Sequence, residues 1–339
     1  MNNNSIPVTL LTGYLGAGKT TLLNKILSEK HGKKYAVVVN EFGEVGIDNE
    51  LIISSEEEVF EMNNGCICCT VRGDLIRILS GLLERDENFE GIIIETTGLA
   101  DPGPVIQTFF VDDDLRDKVH LDQVVTVVDS AHFLSRVEDS HEAEEQVAFA
   151  DLIIVNKKDL VNEDYLSNVS KKIRVLNNQA DLIETVNCEV NLDKLLDRKS
   201  FSLDRLLKIE PGFMEEDPAD HVHDDTISSI CLTCEKPLNP KKFSSWMQNL
   251  IREFGTNIFR SKGILYFENS NKQYVFQGVH MVMDSKWGPE WEDESDKVSK
   301  IVFIGRGLDT MNLKEGFDKC VGEVSIEQIR KENAVWSWI

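Results

Sequence analysis

The sequence predicts an α/β protein: a first domain built on a mostly parallel sheet, followed by a smaller α+β C-terminal domain. Three observations support this class. Up to about residue 207, short apolar runs alternate with helical patterns, which is typical of a parallel sheet with helices on both faces. A glycine-rich motif joins the first apolar run to the first helical pattern. Beyond residue 226, several strand patterns accompany a single helical segment.

The predicted boundaries are 1–207 for the first domain, 208–225 for an acidic linker, 226–310 for the second domain and 311–339 for a helical tail. The linker is assigned because Pro211 and Pro218 interrupt an acidic stretch, and prolines break regular structure. With 339 residues, the chain is long enough for two domains.

The chain is strongly acidic, with 36 Lys and Arg against 59 Asp and Glu and a net charge of −23. Such a surface disfavours nucleic acid or an anionic membrane as the main partner. No apolar run approaches the length of a membrane span, and no signal stretch is seen, so we expect a cytoplasmic protein. In that compartment the seven cysteines are expected to be thiols or metal ligands.

Each apolar run of the first domain ends in polar residues. The predicted strands are Ile6–Leu11, Tyr35–Val39, Gly91–Glu95, Gln123–Asp129 and Leu152–Asn156. The carboxyl ends of parallel strands share one edge of the sheet, where ligands bind in this class. We therefore expect one functional edge, which carries Asn40, Glu41, Glu95, Asp129 and Asn156.

Residues 13–20 match the phosphate-binding pattern G-x-x-x-x-G-K-[ST], with a strand before them and a helix after them. The backbone N–H groups of such a loop point at phosphate oxygens. Lys19 can reach the terminal phosphates, and the Thr20 hydroxyl can hold Mg²⁺. The nucleotide-binding residues predicted here are Gly13, Tyr14, Leu15, Gly16, Ala17, Gly18, Lys19, Thr20 and Thr21.

Asn156-Lys157-Lys158-Asp159 follows a buried strand and resembles the N-K-x-D motif with which P-loop GTPases read guanine. In that motif a carboxylate accepts hydrogen bonds from the ring N–H and the exocyclic amine of guanine. Adenine offers the opposite pattern, and a mismatch that leaves buried polar groups unpaired is rejected strongly. Asn156, Lys157 and Asp159 therefore predict GTP, and the first domain is predicted to be a P-loop GTPase domain.

Glu95-Thr96-Thr97-Gly98 stands where GTPases usually carry D-x-x-G. We expect the Gly98 N–H to sense the γ-phosphate, and Glu95 to support Mg²⁺ through water or to orient the attacking water. A switch loop is expected at 40–48, where Glu41 is assigned to catalysis and Asp48 to nucleotide binding. Lys19 and Thr20 complete the predicted catalytic set, and without an evident Gln or arginine finger we expect slow hydrolysis.

Cys66, Cys68 and Cys69 lie close together just before a predicted helix. Closely spaced thiolates suit Zn²⁺, with Cu(I) as a competitor, and three ligands leave one zinc position open. A Cys68–Cys69 disulfide and buried thiols are the alternatives. Because the cysteines lie between the two predicted switch segments in the sequence, we expect the nucleotide state to control the affinity for the metal.

Other residues give weaker signals. His221 and His223 in the linker are either metal ligands or part of a solvated acidic segment. Cys231 and Cys234 are expected to be buried thiols on opposite sides of a strand. His280 is equally consistent with a structural and a functional role, and structural thiols are expected at Cys188 and Cys320.

Taken together, these motifs resemble those of the CobW-like GTPase metallochaperones, relatives of the nickel-insertion GTPases. The resemblance is carried by Gly13–Thr20, Asn40–Gly43, Gly65–Cys69, Glu95–Pro102 and Asn156–Asp159, and in the second half by Pro237–Pro240, Trp246, Phe276–His280 and Phe303–Asp309. It implies GTP hydrolysis with Mg²⁺, zinc bound at the three cysteines, and delivery of metal to a client protein. Cobalt handling in cobalamin synthesis is another role in the family.

The predicted function is therefore a GTP-hydrolysing zinc metallochaperone that transfers Zn²⁺ to a client metalloprotein. Three alternatives remain: a zinc buffer or sensor whose affinity depends on nucleotide, a cobalt-handling GTPase, and an ATP-dependent phosphotransferase. Neither the client nor the oligomeric state can be read from the residues.

Overall fold

The computed structural model describes residues 5–29, 34–40, 58–62, 70–85, 89–196, 198, 227–293 and 297–322. Across these ranges the chain forms a seven-stranded sheet and a five-stranded sheet. None of the helices within these ranges is long and apolar enough to cross a membrane.

The first sheet is parallel throughout, and its order is β3-β2-β4-β1-β5-β6-β7. Its strands are β1 (Ile6–Thr12), β2 (Tyr35–Asn40), β3 (Glu58–Met62), β4 (Gly91–Glu95), β5 (Val119–Asp129), β6 (Leu152–Asn156) and β7 (Asp181–Glu184). The β4 and β6 strands are fully buried, because helices cover both faces of the sheet. The predicted α/β class is confirmed.

The helices of the first half are α1 (Lys19–Ser28), α2 (Thr70–Leu83), α3 (Gly103–Val111), α4 (Asp113–Arg116), α5 (Phe133–Asp139), α6 (His141–Phe149) and α7 (Glu163–Leu176). One face of the sheet packs on α1 through Leu22, Leu23 and Ile26. Side chains of α2, α3, α5, α6 and α7 join the core of the other face. This core also receives Phe259 and Val302 from the five-stranded sheet, so the two halves share it.

The second sheet is antiparallel, with the order β11-β10-β9-β12-β8. Its strands are β8 (Ile227–Cys234), β9 (Ile258–Tyr266), β10 (Lys272–Val279), β11 (Val282–Glu290) and β12 (Ser299–Arg306). Two helices, α8 (Pro240–Phe254) and α9 (Leu313–Asp318), pack side chains into a core with this sheet. Asn239 caps α8 by accepting a hydrogen bond from the Lys242 N–H at 3.0 Å, so the helix begins where a capping residue precedes a proline.

The acidic residues between Gly288 and Lys297 predict a loop, but the first part of this segment is a strand. Gly288–Glu290 belongs to β11, whose Glu290 pairs with Lys272 of β10. This strand lies at the edge of the sheet and none of its residues is buried, so it lacks the apolar alternation that identifies a strand with one buried face.

A buried ion cluster joins the two halves of the molecule. Arg260 of β9 donates from Nη1 to the carbonyl oxygens of Phe149 and Ala150, at 2.9 and 3.0 Å, and its Nη2 pairs with Asp151. Lys262 lies 3.0 Å from the same carboxylate. Burial alone would raise the pKa of Asp151, but the charges of Arg260 and Lys262 hold that pKa below its ordinary value.

Candidate nucleotide site

The loop between β1 and α1 has the backbone of a phosphate cradle. Gly13, Gly16 and Gly18 have φ values of 139°, 74° and 116°, and Gly18 is the N-cap of α1. At Gly13 an added Cβ would lie 2.2 Å from the carbonyl oxygen of Val127. A side chain cannot be accommodated there, so the tight turn requires glycine.

Lys19 and Thr20 are the first two residues of α1, and they lie beside the carboxyl end of β4. The Lys19 ammonium is buried over its own loop and donates to the carbonyl oxygen of Gly13 at 2.9 Å. The Thr20 hydroxyl donates to Oε1 of Glu95 at 3.4 Å. Glu95 comes so close because β1 and β4 are neighbours, with Leu11 in register with Glu95. A hydroxyl next to a carboxylate is the set of oxygen donors that Mg²⁺ prefers, so these residues fit that ion.

The loop after Glu95 lies against the phosphate loop. A Cβ added to Gly98 would lie 2.6 Å from the backbone nitrogen of Leu15. From the other side, the buried Gln146 of α6 donates through Nε2 to the carbonyl oxygens of Gly98 and Ala100, at 3.1 Å each. Gln146 was not singled out from the sequence, because nothing in its helix indicates which distant carbonyls it meets.

Asn156 joins three loops. Its Nδ2 donates to the carbonyl oxygen of Ala17 at 3.0 Å, which ties it to the phosphate loop. Its Oδ1 accepts from the Cys188 N–H at 2.9 Å and from the Thr185 hydroxyl at 3.3 Å. The loop that follows β7, residues 185–188, is therefore attached to the N-K-x-D segment, although the sequence did not indicate it.

Lys157 and Asp159 follow Asn156 in a turn. Lys157 has a φ of 60°, and its ammonium donates to the Gly16 carbonyl and to Oδ2 of Asp129, both at 2.7 Å. Burial opposes the charge of Asp129, but hydrogen bonds from Lys157 and His132 hold the pKa of that carboxyl below its ordinary value. Asp159 lies in the 3-10 turn Lys158–Leu160 and is exposed, which leaves its carboxylate accessible to a base.

A cavity of about 270 Å³ adjoins the phosphate loop. Its walls include Tyr14, Leu15, Asp129, Arg136 and Gln146. The guanidinium carbon of Arg136 lies 5.6 Å from the centre of the Tyr14 ring, a cation–π contact between α5 and the phosphate loop. Arg136 is a second residue near the site that the sequence did not reveal.

Several predicted site residues lie outside the described part of the chain: Glu41, Asp48, Cys66, Cys68, Cys69, His221 and His223. Their assignments stay predictions. Among the residues that the structure does describe, no group of three or more His, Cys, Asp or Glu side chains could hold a metal ion.

The remaining cysteines are placed in the fold. Cys231 packs against the core that the two halves share and Cys234 against the core of the second sheet, as expected for opposite sides of β8. Both are half-buried rather than buried, so that part of the prediction is wrong. Cys188 and Cys320 are buried, and burial raises the pKa of each thiol to about 11. Both are therefore thiols rather than thiolates at neutral pH.

Comparison with known proteins gives a consistent result. Residues 7–184 match the family described as CobW/HypB/UreG, nucleotide-binding domain, and residues 227–321 match the cobalamin synthesis protein cobW C-terminal domain. The zinc chaperone YjiA of Escherichia coli (strain K12) is 36% identical over 319 residues, which cover 93% of this chain and 98% of YjiA.

One further relative and one solved structure extend the comparison. Zinc-regulated GTPase metalloprotein activator 1 of Schizosaccharomyces pombe is 34% identical over 342 residues, which cover 89% of this chain and 83% of that protein. The crystal structure of Zn(II)-bound YjiA GTPase from E. coli superposes with a TM-score of 0.74 at 31% identity and covers 94% of this chain and 100% of that chain. This chain belongs to the CobW/HypB/UreG family and carries the family's cobW C-terminal domain.

Proposed function

We propose that this protein is a GTP-hydrolysing zinc metallochaperone that passes Zn²⁺ to a client metalloprotein. The observation that carries the proposal is the hydrogen-bonded assembly around Asn156 and Thr20, which unites a phosphate loop, a guanine-type motif and the Glu95 loop. The relatives support it, because their names describe a zinc chaperone and a zinc-regulated GTPase metalloprotein activator.

We propose that the phosphate loop and the N-K-x-D segment bind the nucleotide. The backbone of residues 13–21 holds the phosphates at the N-terminus of α1, and Lys19 supplies a positive charge to them. Asp159 accepts from the N–H groups of guanine, while Lys157 braces the phosphate loop. When bound, Mg²⁺ supplies positive charge to the phosphate oxygens, and Thr20 and Glu95 are the described residues that would hold it, directly or through water.

The hydrolytic step is assigned to the loop after β4. Its backbone is held by Gln146, which places Gly98 next to the phosphate loop. The Glu95 carboxylate lies at the same end of the sheet and can orient the attacking water. Glu41 and Asp48 are proposed to complete the site.

In this proposal zinc is the cargo that the protein transfers, and its ligands are Cys66, Cys68 and Cys69. Strand topology supports a link to the nucleotide. Met62, after which the cysteine segment begins, pairs with Asn40, and Val39 pairs with Glu95. The chain therefore enters the cysteine segment two strands from Glu95, at the edge where nucleotide is proposed to bind. We propose that a change at the γ-phosphate is passed to the cysteine segment along this edge of the sheet.

The proposal is tested by measuring zinc affinity with GDP and with a non-hydrolysable GTP analogue. We expect the two affinities to differ, and Cys66→Ala to weaken zinc binding at least about tenfold. Cys320→Ala is the matched control, because this buried thiol lies in the core of the second sheet. Its substitution should not change zinc affinity. Equal zinc affinities in the two nucleotide states would contradict the coupling between nucleotide and metal. Absence of GTP turnover would contradict the assignment of GTPase activity.

A zinc-free client separates a chaperone from a buffer. A chaperone is expected to hydrolyse GTP faster when an acceptor is present, whereas a buffer would release zinc at an unchanged rate of hydrolysis. Competition between Zn²⁺ and Co²⁺ in the same assay tests the choice of metal, and competition between ATP and GTP tests the phosphotransferase alternative.

A further inference from the structure

Helix α6 lies between the proposed catalytic loop and the second sheet. On one side Gln146 holds the carbonyl oxygens of Gly98 and Ala100. On the other side Arg260 of β9 binds the carbonyl oxygens of Phe149 and Ala150 at the end of the same helix. A single helix turn thus connects the second sheet to the loop that follows Glu95.

A second, direct contact comes from the turn between β10 and β11. His280 occupies this turn with a φ of 52°, and its ring packs against Phe149 and Phe259, with centroids 5.3 and 5.5 Å apart. Its Nε2 reaches the start of α3. A Cβ added to Gly103 would lie 2.8 Å from this nitrogen and 3.1 Å from Oδ1 of Asp101.

Asp101 ends the Glu95 loop, since its Oδ1 accepts from the Gly103 N–H at 2.8 Å where the chain enters α3. Burial raises the pKa of Asp101 and lowers the pKa of His280, although the charge of each group opposes the shift of the other. Backbone hydrogen bonds at Gly255 and Thr256 also oppose the lowering of the pKa of His280.

We propose that the second domain sets the position of the Gly98–Asp101 loop through His280, which makes His280 a positioning residue for GTP hydrolysis. The inference rests on the proposed function, since Gly98 is assigned to the γ-phosphate. Because His280 and α6 both contact this loop, the loop and the second sheet move together. By reciprocity, a nucleotide that moves the loop also biases the second domain.

A double-mutant cycle on the full chain tests the proposal. The variants are Asp101→Asn, His280→Asn and the double variant, and asparagine is chosen for position 280 because it tolerates a positive φ. Each single change is expected to slow single-turnover GTP hydrolysis about 3- to 30-fold. The affinity for GDP, which lacks the γ-phosphate, is expected to stay within about twofold, and the double variant should be no slower than the slower single variant.

An added methyl group provides a second, independent perturbation. Gly103→Ala should displace His280 or Asp101 and slow hydrolysis in the same range, although alanine favours a helix. Gly81→Ala on α2 is the matched control, because an added Cβ there meets nothing within 4 Å. It should leave hydrolysis unchanged.

Hydrogen exchange of the wild-type chain gives a readout that needs no variant to fold. We expect the peptide spanning 277–284 to change its protection between GDP and a non-hydrolysable GTP analogue, together with the peptide spanning 96–105. The inference would be overturned if the rate reductions caused by Asp101→Asn and His280→Asn simply multiply in the double variant. It would also be overturned if the protection of 277–284 is the same with GDP and with the GTP analogue. If the wild type hydrolyses no GTP, the proposed function fails instead, so the two failures are distinguishable.

Discussion

Replacing Asn156 by alanine tests whether the nucleotide site is one assembly. The side chain is 3% exposed and makes three hydrogen bonds to Ala17, Cys188 and Thr185, over 139, 32 and 29 residues of chain. Each such bond contributes about 1 kcal/mol net, so the free energy of unfolding should fall by about 3 kcal/mol. For a domain of this size, the melting temperature should fall by roughly 6 to 12 °C.

The same change should weaken nucleotide binding. Without Asn156 the phosphate loop and the loop at 185–188 are no longer tied together, and binding must order them. If one to two of the lost hydrogen bonds are needed for this ordering, the affinity for GDP falls about 5- to 30-fold. Fluorescent GDP titration measures the affinity, and thermal unfolding measures the stability.

Asn177→Ala is the matched control. Asn177 is also fully buried, and it lies at the far end of α7. Its side chain donates to the carbonyl oxygens of Val147, Ala148 and Ala150 and accepts from the N–H groups of Gln179 and Ala180. This variant should lose at least as much stability as Asn156→Ala and keep its GDP affinity within about twofold. Equal losses of GDP affinity in both variants would refute the reasoning, as would normal GDP binding by Asn156→Ala.

Two further outcomes are expected. Asp159→Asn should shift the base preference from GTP to XTP. The carboxylate of Asp159 accepts from the amine of guanine, whereas an amide N–H can donate to the C2 carbonyl of xanthine. Competition binding measures the preference, and an unchanged preference for GTP would contradict the assignment of Asp159. Glu145→Gln should flatten the pH dependence of stability between pH 5 and 8. Burial and the charge of Asp101 raise the pKa of Glu145 from 4.5 to about 7. The protonated carboxyl therefore contributes stability that is complete below about pH 4.5 and is lost as the pH rises through about 7. Glu315→Gln is the control, because the hydrogen bond and charge of Lys319 lower the pKa of this exposed carboxyl and Glu315 is not among the groups that shift the pKa of Glu145. Equal slopes for wild type and Glu145→Gln would contradict the shift.

Five of the seven described strands of the first sheet were predicted, because their signals are local, whereas β3 and β7 were not. Gly91–Glu95 and Leu152–Asn156 are short apolar runs that end in polar residues, and the structure has strands with the same bounds. β5 begins four residues earlier than Gln123, at Val119, because the parallel partner β1 extends the pairing through Ile6. β11 was missed because an exposed edge strand does not need apolar residues.

The residues that brace the site could not be predicted in the same way. Gln146 sits in a helix whose sequence shows no motif, and it acts on carbonyl oxygens 46 and 48 residues away. The loop at 185–188 follows a four-residue strand and carries no recognisable signature. Only the packing of α6 and the parallel order of β1, β5, β6 and β7 brings these segments to the phosphate loop.

The sequence by itself determined the α/β class, the phosphate loop, the guanine-type motif and the three closely spaced cysteines as a candidate metal site. These features depend on short segments, because a glycine turn or a buried run carries its own conformational preference. The tertiary structure decided how the segments meet: Thr20 against Glu95, Asn156 across three loops, and His280 of the second sheet against the start of α3. Such contacts join residues far apart in the chain, so they follow from the order of strands and the packing of helices rather than from any local pattern.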